Sequence, residues 1–509
     1  MKFNRSSGVI LHPTSLPGPY GIGDLGPQAY RWIDFLAEAG CSLWQILPLG
    51  PTGYGDSPYQ CFSAFAGNPV LISPELLLAE GLILPGDLID LPEFPGETGF
   101  GSHVDYGLVI HAKMRLLNRA FMRFQRVATP HLKTEFERFQ VSQAGWVQDY
   151  GLFMALKDAH GGKPWYMWRA GLKTRQPSVL AAAREKYREP IQRQVFQQFI
   201  FFRQWGALRR YAHEQGIRII GDVPIFVSHD SADVWANPHL FDLYKNGKPR
   251  VVAGVPPDYF SPTGQLWGNP LYRWEVHAHD GYRWWLDRLR SVFNKVDIVR
   301  LDHFRGFAGY WEVPAGKPTA EIGRWLPGPG AQFLRAIELE FGGLPIIAED
   351  LGEITPDVFE LRDQFNLPGM KILQFAFGGD PEEKFLPHNY SHNCVAYTGT
   401  HDNDTTLGWY KTAPENERDF CRRYLNRDGQ DIVWDMIRCV WSSVAVFALV
   451  PMQDLLNLDT EARMNFPGRP SGNWCWRMSN EACSAELAAR LREINFLYGR
   501  GQKQIASLN

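Results

Sequence analysis

Three acidic residues end apolar segments of the sequence, and acids in such positions can do chemistry that an acid on the solvated surface cannot. Asp302 ends VDIVRLD, Glu349 ends PIIAE and Asp402 ends CVAYTGTHD. Most of the chain's 55 acidic residues are expected on the surface. In a barrel of parallel strands, side chains at the strand ends converge on one mouth. A carboxylic acid and a carboxylate that meet there can cleave a glycosidic bond.

The neighbours of Asp302 and Glu349 predict different protonation states for these two acids. Side chains alternate along a strand, so Arg300 and Asp302 share a face while Leu301 and His303 point the other way. We expect the Arg300 guanidinium to lower the pKa of Asp302, which suits a nucleophile. Glu349 follows apolar residues only, and burial among them should keep its carboxyl group protonated, as a general acid requires.

Asp402 is the third candidate, and two roles for it stay open. Its carboxylate can bind sugar hydroxyl groups and hold them more tightly as charge develops in the transition state, with His401 beside it as a further donor. The segment THDNDT is also typical of the start of a helix, where an acid caps backbone N–H groups.

Eight short segments rich in β-branched and other apolar residues recur along the chain, and helical stretches follow most of them. This alternation predicts an α/β fold, a (β/α)8 TIM barrel, as a single catalytic domain over residues 1–509. The eight segments are residues 7–12, 42–50, 217–224, 296–303, 345–352, 370–377, 394–402 and 447–454.

Two intervals between predicted strands are too long for simple crossovers and are interpreted as insertions into the barrel. Residues 51–189 form the first, and apolar residues at helical spacing around residues 111–127 predict a largely helical subdomain. Residues 226–276 form the second, which carries the aromatic segment PPDYFSPTGQLWGNPLY. Aromatic side chains on a loop are as consistent with stacking on sugar rings as with core packing.

Composition excludes several classes of partner. The net charge is −3 and no block of five like charges occurs, so we expect no nucleic acid partner. The seven cysteines are scattered without a CxxC pair, which favours reduced thiols in a cytoplasmic protein. We expect no membrane association, because the longest apolar run, residues 444–452, is far shorter than a membrane span. No calcium-loop pattern occurs, and neither a metal nor a cofactor is expected.

Long motifs spread over nearly the whole chain resemble the amylomaltases, or disproportionating enzymes, of the α-amylase superfamily. The motifs are HPTSLPGPYGIGDLG from His12, WQILPLGPTGYGDSPYQ from Trp44, GDVPIFV from Gly221, GVPPDYFSPTGQLWGNPLY from Gly254, RLDHFRG from Arg300, AEDLG from Ala348, TGTHDNDT from Thr398 and NFPGRPSGNW from Asn465.

The resemblance implies specific roles. Asp302 would be the nucleophile, Glu349 the acid/base and Asp402 the stabiliser of the transition state, the three positions that the strand ends also single out. Tyr54 would belong to a second glucan site. The residues implied to contact sugar are Tyr59, Asp222, Arg300, His401 and Asn465, together with Tyr259, Phe260, Gln265 and Trp267 of a loop that would fold over the cleft.

The activity implied by the resemblance is that of a 4-α-glucanotransferase. Its substrates would be α-1,4-glucans and maltooligosaccharides with glucose as an acceptor, and no obligate protein partner is implied. The mechanism would be a retaining double displacement, with the two carboxyl groups about 5 to 5.5 Å apart. An α-glucan hydrolase of the same superfamily and a non-catalytic starch-binding protein remain alternatives. The GIGDLG segment at residues 21–26 formally matches a dinucleotide fingerprint, but a Pro-rich loop and no strand directly precedes it.

Overall fold

The structure is a computed structural model that describes residues 3–94, 102–257, 261–352, 354–469 and 471–501. All eight predicted strands are present and form one parallel sheet, with hydrogen-bonded neighbours in the order β5-β4-β3-β2-β1-β8-β7-β6. The strands are β1 (Ser6–Ile10), β2 (Leu43–Gln45), β3 (Arg218–Pro224), β4 (Ile298–Asp302), β5 (Ile346–Ala348), β6 (Gly369–Ile372), β7 (Cys394–Tyr397) and β8 (Phe447–Pro451).

The sheet closes on itself between β5 and β6. The N–H of Ala348 donates to the carbonyl of Pro368 at 2.9 Å. Just beyond, the Asp350 carboxylate accepts the N–H of Met370 at 2.7 Å and an ion pair from Arg362 at 2.5 Å. These bonds complete the ring, so the predicted (β/α)8 barrel is confirmed.

The interior of the barrel is filled by apolar side chains that alternate along the strands with side chains facing the helices. Such filling makes the barrel a packed core and not a channel. The buried interior cluster consists of Phe3, Ile10, Leu43, Ile220, Ile298, Ile347, Met370, Ile372, Val395, Tyr397, Val446, Phe447 and Leu449.

Helices surround the barrel on most of its circumference. The sixth unit differs: residues 373–393 contain only two short 3-10 turns, Leu373–Phe375 and Pro387–Asn389. The barrel helices are Pro27–Glu38, Arg188–Glu214, Arg283–Phe293, Gly330–Phe341, Pro356–Gln364, Ile432–Ser442 and Ala485–Leu497, with Thr406–Thr412 and Glu415–Leu425 added between β7 and β8. Short helices at the loops are Ala232–Ala236, Trp274–His279, Arg305–Ala308 and Met452–Leu455.

The interval between β2 and β3 is largely helical where it is described. A buried ion pair ties it to the barrel, because Lys113 Nζ lies 3.0 Å from the Asp24 carboxylate. Asp24 belongs to the GIGDLG segment, which is separated from β1 by the 3-10 turn Pro13–Ser15 and therefore lacks the strand-to-helix geometry of a dinucleotide site. The helices are Pro74–Ala79, Pro85–Ile89, Tyr106–Val127, Pro130–Ser142, Val147–Ala159, Ala170–Lys173 and Pro177–Lys186.

A four-stranded antiparallel sheet, which the sequence analysis did not predict, stands beside the barrel mouth. Two of its strands, Val251–Val255 and Gln265–Pro270, come from the interval before β4. The other two, Gly309–Pro314 and Arg324–Pro327, come from the segment after β4. Val251–Val255 pairs with Gly309–Pro314 in the middle, so the chain on both sides of β4 is joined in one sheet. A further two-stranded ribbon pairs Ser102–His103 with Trp476–Arg477.

None of the helices in the described ranges is long and apolar enough to span a membrane.

Candidate active site

An open cleft with about 2790 Å³ of empty space, part of it at the solvent boundary, lies over the carboxyl ends of the barrel strands. The predicted site residues that line it are Tyr54, Tyr59, Gln265, Trp267, Arg300, Asp302, Glu349, His401, Asp402 and Asn465. Tyr259 and Phe260 lie outside the described residues.

Arg300 on β4 organises the floor of the cleft. Its buried guanidinium contacts the Asp222 carboxylate at 2.6 Å and the Asp302 carboxylate at 2.9 Å. Asp222 lies at the register position of β3 directly opposite Arg300. The Tyr59 hydroxyl also donates to Asp222, at 2.8 Å, so that one cation and one phenol hold this carboxylate in place.

Asp222 is placed beneath the cleft and not on its wall. Its side chain is fully buried, and the residues that line the cleft do not include it. Its Oδ2 is occupied by Arg300 and Tyr59. This geometry suits a group that orients Arg300 and Tyr59, and the direct sugar contact implied by the family resemblance stays a prediction.

The pKa of Asp302 shifts in the direction opposite to the sequence-based expectation. Burial has the largest effect and raises the pKa to about 6, while the guanidinium of Arg300 opposes this rise only in part. Repulsion from Asp222 and Asp402 adds to the rise. The prediction of a lowered pKa is therefore wrong, because it considered the nearest cation without the burial and the other two carboxylates.

Glu349 follows β5 directly, and two backbone N–H groups hold its carboxyl group. His303 donates to Oε2 at 2.7 Å and Leu351 donates to Oε1 at 3.0 Å. Burial raises the pKa of Glu349 to about 7 despite the opposing effect of Arg300 and these hydrogen bonds, and the charge of Asp302 raises it further. The expected protonated carboxyl group is therefore supported by its surroundings.

His303 has an unusual backbone, which directs its N–H at Glu349. Its φ of 52° is left-handed, a conformation that non-glycine residues rarely adopt and that concentrates at functional sites. Because β4 ends at Asp302, the strand alternation stops there and the His303 ring lines the cleft. The expectation that His303 points away from the face of Asp302 is thus wrong.

Asp402 is held by partners on both sides. Asn465 Nδ2 donates to Oδ1 at 2.6 Å, and His401 Nε2 lies 3.2 Å from Oδ2. Although burial is the largest effect and acts in the opposite direction, the attraction of His401, its hydrogen bond and that of Asn465 together hold the pKa of Asp402 well below its usual range. Arg463 donates to the Asp402 carbonyl at 2.6 Å and so fixes the backbone as well.

The loop position of Asp402 corrects one expectation and weakens an alternative. Asp402 does not end a strand, because β7 ends at Tyr397 and Asp402 lies five residues further on. The helix Thr406–Thr412 is capped by Thr405, whose side chain accepts the N–H of Gly408. Capping of this helix therefore does not involve Asp402.

Several cleft residues were not singled out from the sequence. Arg305 stacks on Trp325 at 3.9 Å from the ring centroid, and both line the cleft. Phe466 and Trp474 line it from the segment that follows β8. Arg305, Phe466 and Trp474 lie within the motifs RLDHFRG and NFPGRPSGNW, so membership of these motifs could have identified them as cleft residues. Trp267, which also lines the cleft, packs edge-on against His303 with ring centroids 4.7 Å apart.

A (β/α)8 barrel that brings three carboxylates into one cleft is the arrangement of an enzyme that acts on glycosidic bonds. Residues 11–483 match the family described as 4-alpha-glucanotransferase. The chain is 52% identical over 502 residues to the 4-alpha-glucanotransferase of Thermus thermophilus, which covers 97% of this chain and 99% of that protein. The chloroplastic/amyloplastic 4-alpha-glucanotransferase of Solanum tuberosum is 45% identical, over 97% of this chain and 86% of that protein. The chain therefore belongs to the 4-alpha-glucanotransferase family and is a transferase.

A solved structure agrees with this assignment. The amylomaltase from Streptococcus agalactiae in complex with acarbose superposes with a TM-score of 0.94 at 39% sequence identity, covering 98% of this chain and 100% of that one. The amylomaltase from Corynebacterium glutamicum, with a TM-score of 0.78 at 20% identity over 97% of this chain and 74% of that one, shares the fold.

Proposed function

We propose that the protein transfers a segment of an α-1,4-glucan to the 4-hydroxyl group of glucose or a maltooligosaccharide, through a covalent glucosyl-Asp302 intermediate with net retention of configuration. One observation carries this proposal: Asp302, Glu349 and Asp402 line one cleft in three different electrostatic environments. Two interacting carboxyl groups titrate as a pair. In the proposed cycle Asp302 is the ionised member of the pair, because the Arg300 guanidinium lies 2.9 Å from its carboxylate, and Glu349 carries the proton.

In the first step the Glu349 carboxyl proton moves to the glycosidic oxygen as Asp302 attacks the anomeric carbon. The bond between that carbon and the oxygen breaks, and the leaving chain departs with a new hydroxyl group. Arg300, 2.9 Å from Asp302, orients the attacking carboxylate. Asp402 stays ionised and binds the reacting sugar more tightly as positive charge builds up on it.

In the second step the 4-hydroxyl oxygen of an acceptor attacks the same carbon. Its proton goes to the Glu349 carboxylate, and the ester bond to Asp302 breaks. Because water competes for the intermediate, transfer depends on an acceptor that is held in place and on a cleft that limits solvent. Trp267 on the antiparallel sheet and Trp474 after β8 both line the cleft and are side chains of the type that stacks on sugar rings, and Gln265 adds a polar group to the lining.

Incubation with maltotriose tests the proposal. Glucose and longer maltooligosaccharides should form together while the total number of reducing ends stays constant. A steady rise in reducing ends with only shorter sugars would instead establish a hydrolase. Binding of maltotriose without any change in the sugars would establish a glucan-binding protein. NMR analysis of the newly formed linkages checks retention, because new β-1,4 linkages would contradict the double displacement.

A further inference from the structure

A second, small cavity, with about 30 Å³ of space for water, lies behind the loop that follows β7. His12, which follows β1, and His401 both line it. The two residues are only 7% and 6% exposed. Among the described residues, the Nδ1 atom of each ring is buried without a hydrogen-bonding partner. Two such nitrogen atoms, on residues that line one cavity, are costly unless something bridges them.

The cleft side of His401 determines where one of its protons lies. Tyr59 uses its hydroxyl proton on Asp222, so its oxygen, 2.9 Å from His401 Nε2, can only accept. The other neighbour of Nε2 is the Asp402 carboxylate at 3.2 Å, which is also an acceptor. Nε2 must therefore carry a proton. The charge of the ring then depends on whether Nδ1, on the cavity side, carries one as well.

We propose that His12 is a positioning residue of the transferase, which accepts the Nδ1–H of His401 through a buried water molecule and thereby keeps His401 positively charged beside Asp402. This inference rests on the role proposed above for Asp402. The cavity has room for a water, whose share of liquid volume is about 30 Å³. Imidazole groups at catalytic and metal sites depend in the same way on the partner of their second nitrogen.

Burial and the neighbouring charge of His401 lower the pKa of His12 to about 3, so the His12 ring is neutral and has a nitrogen that can accept. Burial is the largest effect on His401 and lowers its pKa, but the attraction of Asp402, the hydrogen bond with it and the attraction of Asp222 together raise the pKa above its ordinary value. On the cleft side, the charged groups that act on His401 are Asp402, Arg300 and Asp222.

The other charged groups that line the cavity are already bonded. Asp454 accepts from Thr398 and from the side chain and backbone of Thr406. Asp404 accepts from Thr460 and from the N–H of Thr405. Arg463 donates to the carbonyls of Asp402 and Asn465. His12 is therefore the acceptor best placed to serve His401.

The test compares His12→Phe, which removes the acceptor, with His12→Gln, which restores an oxygen acceptor. The donor is α-maltosyl fluoride, whose leaving group needs no proton from Glu349, so loss of activity at high pH reports other groups. Without its acceptor, His401 should lose its second proton more easily. We expect His12→Phe to lower kcat about tenfold and to move the alkaline fall in activity about one pH unit lower. His12→Gln should regain most of both.

His277→Phe is the matched control, because His277 is also a buried histidine but packs among Tyr272, Trp274 and Trp284 and does not line the cleft. An unchanged pH profile in His12→Phe, or an equal shift in His277→Phe, would overturn the proposal. A high-resolution crystal structure of the unaltered protein decides the case even where a variant fails to fold. It should show a water within hydrogen-bonding distance of both Nδ1 atoms, and its absence would refute the proposal while leaving the transfer mechanism to its own test.

Discussion

The interior of the barrel and its mouth are built from the same faces of the same strands, yet the interior is apolar and the mouth is charged. On β3 and β4 the residues Ile220 and Ile298 lie opposite each other, and two positions further along the opposed pair is Asp222 and Arg300. The isoleucines belong to the apolar interior cluster, whereas the charged pair forms the floor of the cleft. One strand thus changes from core to active site within two residues.

This contrast indicates which changes affect folding and which affect chemistry. Burial of the apolar side chains in the interior stabilises the folded protein by about 25 cal/mol per Å² of surface removed from water. Carboxylates at the mouth are instead buried at a cost in free energy: burial first, and repulsion between carboxylates second, raises the pKa values of Asp302 and Glu349. Active sites commonly carry such a cost in stability. Substitutions in the apolar interior should therefore lower stability with little effect on activity. Substitutions of the carboxylates at the mouth should lower activity without lowering stability.

The largest effect is expected at the mouth, from Asp302→Asn. This change removes the proposed nucleophile and should lower transfer from maltotriose by about 10⁴-fold or more. Because it also removes a buried charge that repels Asp222 and Asp402, the melting temperature should stay the same or rise. Glucose release and differential scanning calorimetry check the two parts. Retention of a tenth or more of the activity would exclude Asp302 as the nucleophile.

Glu349→Gln should have a smaller effect that depends on the donor. Loss of a general acid lowers the rate about 10² to 10⁴-fold. The formation of the intermediate from α-maltosyl fluoride should be nearly unaffected, because fluoride leaves without a proton. Rapid-quench measurement of the first turnover with both donors checks this difference. Equal losses with the two donors would contradict the acid role.

The same variant should change how stability depends on pH. A carboxyl group whose pKa is raised on folding, to about 7 for Glu349, contributes stability below its unfolded value that is lost as the pH rises through 7. The variant has no such proton to lose. Its urea midpoint should therefore fall less between pH 5 and pH 9 than that of the unaltered protein. Parallel pH curves would show that the environment of Glu349 differs from the one described.

The smallest effect on activity is expected in the interior, from Ile298→Val. Ile298 is 1% exposed and lies on the same face of β4 as Arg300 and Asp302. Loss of one methylene should reduce the free energy of unfolding by about 0.5 to 1.5 kcal/mol. Denaturant titration gives this value, and kcat for maltotriose should not change. A large loss of kcat would show that packing in the interior affects the chemistry at the mouth, and would contradict the separation between the two regions.

The sequence predicted the barrel well because each strand carries its own local signal. VDIVRLD and PIIAE are buried on both faces and end in an acid, and β4 and β5 lie there. Boundaries were less accurate: the segment 42–50 is a strand only over Leu43–Gln45. Pro48 has no N–H to donate to a ladder, which gives a physical reason for the early end.

What could not be predicted depends on contacts between distant parts of the chain. The antiparallel sheet joins segments on either side of β4, and the local sequence of neither segment indicates with which strand it pairs. The raised pKa of Asp302 results from burial and from Asp222 and Asp402 on other strands and loops. The sequence showed His12 only as the first residue of a motif and not as a neighbour of His401, because the two histidines lie far apart in the chain and line the same cavity only in the folded protein.

The antiparallel sheet has a consequence for protein engineering. Val251–Val255 pairs with Gln265–Pro270 on one side and with Gly309–Pro314 on the other, and Gly309–Pro314 follows β4 closely in the chain. A chimaera that receives only residues 251–270 from a relative would have to pair the strands of that relative with the unchanged strand Gly309–Pro314. The strands within residues 251–270 and 309–327 form one sheet, so exchanging both segments together would keep its strand pairing intact beside Asp302.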